Sequence, residues 1–87
     1  MAERRIKVTS KAGFHARPAS KLAQTAAEYP QDITATTGDL APVNAKSVMS
    51  LMSLGVGPGG ELVISVSGSS AESILDELQA VIEEFEE

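Results

Sequence analysis

The sequence predicts an α+β domain built on a single open sheet, and three observations carry that prediction. Segments of strict period-two alternation lie in both halves of the chain, three other segments place apolar residues at helical spacing, and glycine and proline clusters separate them. Taken in turn, they give the order β-α-β-β-α-β-α with no internal repeat and no low-complexity stretch. A chain of 87 residues buries only about 60% of its unfolded surface on folding. Residues 1–87 are therefore read as one domain with one small core.

Residues 3–9 alternate, with Ile6 and Val8 on one face and Arg5, Lys7 and Thr9 on the other, as in a half-buried strand. Past Lys11-Ala12-Gly13-Phe14, residues 16–28 are rich in helix formers, and Ala19, Leu22, Ala23 and Ala26 recur at helical spacing. Pro18 is tolerated only in a first turn, where its missing amide would have had no intrahelical partner. The helix therefore begins near His15 or Ala16. It ends at Tyr29-Pro30, because the residue before a proline is pushed out of the helical region.

Ile33, Ala35 and Thr37 alternate with Thr34 and Thr36, and Thr37-Gly38-Asp39 supplies a turn into residues 40–43. That hairpin is weakened by Pro42, which favours an edge position. Ser47 is the natural N-cap of a short helical run, Val48 to Leu54, stopped by Gly55 and the Gly57-Pro58-Gly59-Gly60 loop. In that run Val48, Leu51 and Leu54 are expected to face inward, leaving Met49 and Met52 partly outward. Residues 61–67 form the last strand, with Leu62, Ile64 and Val66 inward. The final helix follows the i, i+3, i+4 rule through Ala71, Ile74, Leu75, Leu78, Val81, Ile82 and Phe85, and Ser69 with Glu72 reads as its capping box.

Composition narrows the function classes. A hydrophobic content of 43% with 22% charged residues is that of an ordinary soluble globular domain. The chain has no cysteine, which excludes disulfides and thiolate metal sites, and its single histidine leaves no usual ligand set for a metal. No apolar run approaches the roughly 20 residues of a membrane span. The first residues lack the apolar core of a secretory signal, so a cytoplasmic location without membrane insertion is expected. Net charge is −5, unevenly spread: all seven basic residues lie within positions 1–46, while positions 47–87 hold eight acids and no base. Such a split can mark an anion site at one end or can serve solubility alone. Arg4, Arg5, Lys7 and Lys11 near one strand raise a nucleic-acid module as a contender, which the acidic balance and only three aromatic residues argue against.

His15 stands where the first helix starts, followed by Arg17 and Pro18. A helix start presents unpaired amides and a partial positive charge, and so favours an anion. Arg17 adds a planar cation suited to phosphate oxygens. An imidazole lacking its second proton keeps a lone pair on one ring nitrogen, and that nitrogen can attack a phosphoryl group. On these residues alone the plainer reading is favoured, with His15 a helix cap and Arg17 a solvated first-turn residue. A hydrolase triad has no support, since no serine sits in a nucleophile elbow.

Gly13-Phe14-His15-Ala16-Arg17-Pro18-Ala19 resembles the active-site motif of the HPr family, histidine-containing phosphocarriers of the bacterial phosphoenolpyruvate:sugar phosphotransferase system. The stretch from Val43 through Ser47 to Gly55 is similar to that family's regulatory-serine segment, at the family's separation from the first motif. Together the two motifs and the element order extend the resemblance over nearly the whole chain. It implies an open-faced β-sandwich, a four-stranded antiparallel sheet covered on one face by three helices. It further implies that His15 accepts a phosphoryl group on its δ1 nitrogen from enzyme I, charged by phosphoenolpyruvate, and passes it to IIA components of sugar permeases. Arg17 would contact the phosphoryl group, with the amides of Ala16 and Arg17 beside it.

Such a protein is a stoichiometric carrier, not a catalyst, and is expected to work as a monomer without metal or cofactor. Ser47 resembles the serine modified by an HPr kinase/phosphorylase in many low-GC Gram-positive bacteria; as residues go, it is equally a simple N-cap. Met49 and Met52 suit a surface that accepts several partners, since a thioether side chain repacks easily. Spacing alone would serve core filling as well, and the resemblance points to docking. Phe14 and Ser50 depart from the family's commoner aliphatic residue and glycine. Two alternatives stand beside this reading: a nitrogen-related paralogue of the same fold, and a pure binding regulator, whose kind lacks the histidine present here.

Overall fold

The structure is a computed structural model that describes residues 2–9, 11–38 and 40–84. The chain runs β1 (Ala2–Lys7), α1 (Ala16–Ala27), β2 (Ile33–Thr36), β3 (Val43–Asn44), α2 (Val48–Met52), β4 (Glu61–Val66) and α3 (Ala71–Glu83), the order expected from the sequence. The strands form one antiparallel sheet in the order β1-β4-β2-β3. The last strand is thus inserted between the first and the second, with Arg4 opposite Ile64 and Ala35 opposite Ile64 on its other side.

Alternation decides which face is covered. Leu62, Ile64 and Val66 are fully buried, whereas Val63 and Ser65 between them are only half-buried. The same period on β1 and β2 sends Ile6, Ile33 and Ala35 to that face. Over it lie Leu22, Ala23 and Ala26 of α1, Leu51 of α2, and Ile74, Leu75, Leu78, Val81 and Ile82 of α3, in one continuous core. Among the described residues the opposite face, carrying Arg5, Lys7 and Thr36, has no helix upon it, as in an open-faced sandwich.

Several local expectations need correction. β1 stops at Lys7, because Val8 turns its backbone to the glycine loop, donating to the Gly60 carbonyl at 2.8 Å and accepting from the Gly59 amide at 2.8 Å. The hairpin's second arm shrinks to Val43–Asn44 at the sheet edge, where Pro42 cannot supply a ladder donor. The capping box at Ser69 and Glu72 is not formed. Ser70 is the N-cap of α3, in a left-handed conformation (φ 63°, ψ 18°) with no side-chain cap bond, and such a backbone lacks the extended geometry a capping hydroxyl needs. Glu72 instead meets Arg4. Phe85, Glu86, Glu87 and Asp39 lie outside the described residues.

Arg4 joins sheet and helix. Its guanidinium donates to Asp76 at 2.6 Å, Glu72 at 2.9 Å and Gln79 at 3.1 Å, all on one face of α3. The hydrogen bond to Asp76 raises its affinity for the proton further. The four cations near β1 therefore do not form one surface: Arg4 turns toward α3 and Arg5 to Glu61 at 3.3 Å on the open side.

Candidate functional site

One backbone hydrogen bond and one buried ring fix the segment before α1. The Phe14 amide donates to the Val56 carbonyl at 2.9 Å, and the Phe14 ring is buried, 6% exposed. Phe14 is thus a core residue. Next comes His15, the N-cap of α1, with extended backbone (φ −99°, ψ −169°) and its carbonyl accepting the Ala19 amide at 3.1 Å. The imidazole is half-buried and makes no capping hydrogen bond.

Ala16 and Arg17 follow as the first two helical residues, both exposed, and Pro18 is buried as the third. At these positions an α-helix has no acceptors for its own amides, and the missing N–H of Pro18 costs nothing. The first turn of α1 holds no acidic residue. The half-buried ring and the helix start therefore lie side by side, with no carboxylate in that turn. The chemistry open to this arrangement is to hold a small anion on or beside the imidazole.

Ser47 is the N-cap of α2, its backbone extended (φ −112°, ψ 119°) and its Oγ accepting the Ser50 amide at 3.3 Å. Leu51, fully buried, is the one buried residue within this helix, and Leu54 just past it is 6% exposed. Met49 is 84% exposed and Met52 41%. Val48 does not join Leu51 and Leu54 as the spacing suggested: it is 36% exposed. A five-residue helix meets the core through Leu51, and Val48 in its first turn is left on the surface. Val48, Met49 and Met52 therefore all lie on the exposed side of α2.

Sequence reading missed the contact of the His15 segment with Val56, which belongs to the loop after α2. The pair is remote in sequence, and only the glycines on both sides hinted at close backbone approach. It also missed the partners of Arg4. Among the described residues no group of three or more histidine, cysteine or carboxylate side chains is placed to hold a metal ion, and no helix is long and apolar enough to cross a membrane.

Comparison with known proteins matches residues 2–84 to a family profile described as PTS HPr component phosphorylation site. The chain is 37% identical over 84 residues to the phosphocarrier protein HPr of Streptomyces coelicolor, covering 97% of this chain and 90% of that protein. The solved structure of HPr-C-His from Thermoanaerobacter tengcongensis superposes with a TM-score of 0.85 at 40% identity, over 95% of this chain and 92% of that one. A Mycoplasma histidine-containing phosphocarrier protein gives a TM-score of 0.87 at 30% identity, over 95% and 93%.

Proposed function

This chain belongs to the HPr family, the phosphocarriers of the phosphotransferase system, and from that premise we propose that His15 carries the phosphoryl group. The δ1 nitrogen, in its unprotonated form, attacks the phosphorus of phosphorylated enzyme I. One P–N bond forms at His15 as the bond to the donor breaks, and the reverse exchange delivers the group to a IIA component of a sugar permease. The observation that carries the reading is the seat of His15 at the N-cap of α1, with Ala16 and Arg17 as the first helical residues.

Electrostatics make the adduct stable enough to travel and labile enough to leave. A helix start favours an added negative charge by about 0.3–2 kcal/mol, and each charged hydrogen bond contributes about 1.5–3 kcal/mol. Arg17 and the amides of Ala16 and Arg17 supply those terms. The protein is consumed and regenerated stoichiometrically, as a single domain and a monomer in the cytoplasm, and turnover belongs to its partners. Val48, Met49 and Met52 form the docking patch.

At Ser47 a phosphate added by an HPr kinase/phosphorylase sits at a helix N-cap, where its charge is tolerated by the fold. About two negative charges then appear beside the docking patch and slow transfer to His15.

Incubation with phosphoenolpyruvate and enzyme I is expected to add one acid-labile phosphate, absent from His15→Ala, and Arg17→Glu is expected to slow its uptake in a folded protein. A phosphate that survives mild acid, or that His15→Ala retains, refutes the assignment.

A further inference from the structure

Gly13 has a left-handed backbone, φ +72°, in closest contact with a distant loop. A Cβ there would stand 2.9 Å from the Val56 oxygen, 2.9 Å from the Gly57 Cα and 3.0 Å from the Gly57 carbonyl carbon. All three are main-chain atoms, so no side chain can swing aside to admit it. The same Val56 oxygen accepts the Phe14 amide at 2.9 Å. Any side chain at position 13 therefore presses on the acceptor that holds the residue before His15.

That loop is itself anchored. Val8, at the end of β1, exchanges two backbone hydrogen bonds with Gly59 and Gly60, and the Val56 side chain is 7% exposed. His15 is consequently tethered on both sides, by the Phe14–Val56 bond before it and by the Ala19 amide on its own carbonyl after it. The imidazole makes no capping bond, so this main-chain frame is what fixes where the residue that bears it stands.

We propose that Gly13 is a positioning residue for phosphoryl transfer: its missing side chain lets the His15 segment close onto Val56 and Gly57 and so sets where His15 stands. The inference rests on His15 being the phosphoryl acceptor. Transfer between two proteins needs the attacking nitrogen in line with the donor bond, and a misplacement of about 1 Å can cost on the order of 100-fold in rate.

The test uses the full-length chain, enzyme I and phosphoenolpyruvate. Folded Gly13→Ala, checked by circular dichroism, is expected to show a maximal phosphorylation rate roughly 10- to 100-fold below wild type. Its KM should stay near wild type, because the exposed patch on α2 is unaltered. Gly13→Asn separates backbone strain from contact, since asparagine tolerates a positive φ yet still carries a Cβ. It is expected to be slow too, and wild-type rate in Gly13→Asn overturns the role given to the contact. In the wild-type protein the Phe14 amide is expected to resist hydrogen exchange, a measurement that stands even if Gly13→Ala fails to fold. Exchange at the rate of an open chain overturns the proposal, as does a loss confined to KM. A wild-type protein that takes no phosphate overturns the carrier reading itself, whereas full-rate transfer by folded Gly13→Ala overturns the positioning role alone.

Discussion

Truncation of Met49 separates docking from folding. With 84% of its surface exposed, Met49 lends little to the core, and Met49→Ala is expected to change stability by no more than about 0.5 kcal/mol. A partner that covers the side chain gives a different result. Fully burying a methionine is worth about 1.5–3 kcal/mol, and alanine keeps only the Cβ of it. With about 1.4 kcal/mol for each factor of ten, KM for the carrier in the enzyme I reaction should rise roughly tenfold or more. Leu51, two residues along the same helix, supplies the contrast because it is fully buried.

Leu51→Ala is expected to cost about 2–5 kcal/mol. A chain of this length has only about 4–13 kcal/mol in total, so the thermal midpoint should fall by roughly 8 °C or more. The assay is initial phosphorylation rate against carrier concentration, run beside thermal unfolding of both variants. An unchanged KM for Met49→Ala removes that residue from the docking patch. A midpoint lowered as far as in Leu51→Ala would refute its exposed placement.

Arg4→Ala breaks the contacts to Asp76 and Glu72 and should lower the thermal midpoint and speed amide exchange along β1. The deficit should shrink in 1 M salt, which screens exposed charges to about 3 Å; the same deficit at every ionic strength would assign the loss to packing instead. Ser47→Ala removes the acceptor for the Ser50 amide. At 3.3 Å this is a long bond, which puts the cost near the low end for caps, about 0.5–1 kcal/mol. A midpoint lower by roughly 2–8 °C should follow, and an unchanged midpoint would show that the cap contributes nothing.

Legibility in the sequence followed burial. Leu62, Ile64 and Val66, and the six buried residues of α3, write their burial as a period, since each element is covered on one side only. β3, of two residues, is too short to show a period, and its pairing with β2 could be inferred only from the turn. The start of α3 was misread because nothing local announces a left-handed serine at position 70, whereas a hydroxyl followed by a glutamate suggests a cap. At the candidate site, Pro18 fixed the phase of α1 and so the seat of His15. The close approach of Gly13 to Gly57 was hidden, because a contact between two residues without side chains leaves no apolar pattern. Arg4 was hidden for a different reason. Glu72 and Asp76 are visibly neighbours on a helix, but which cation they meet depends on where α3 crosses β1.

The position of β4 bears on how the protein is made. A ribosome releases β1 and β2 before residues 61–66, yet β1 pairs only with that late strand, and until it emerges β2 has just its short ladder with β3 available. The sheet closes through contacts between remote parts of the chain, a topology that slows folding. Until then the apolar sides of β1 and β2 stay uncovered, and the frame around His15, tied through Val56 to the loop that Val8 anchors, gains its full support only once the final strand has joined the sheet.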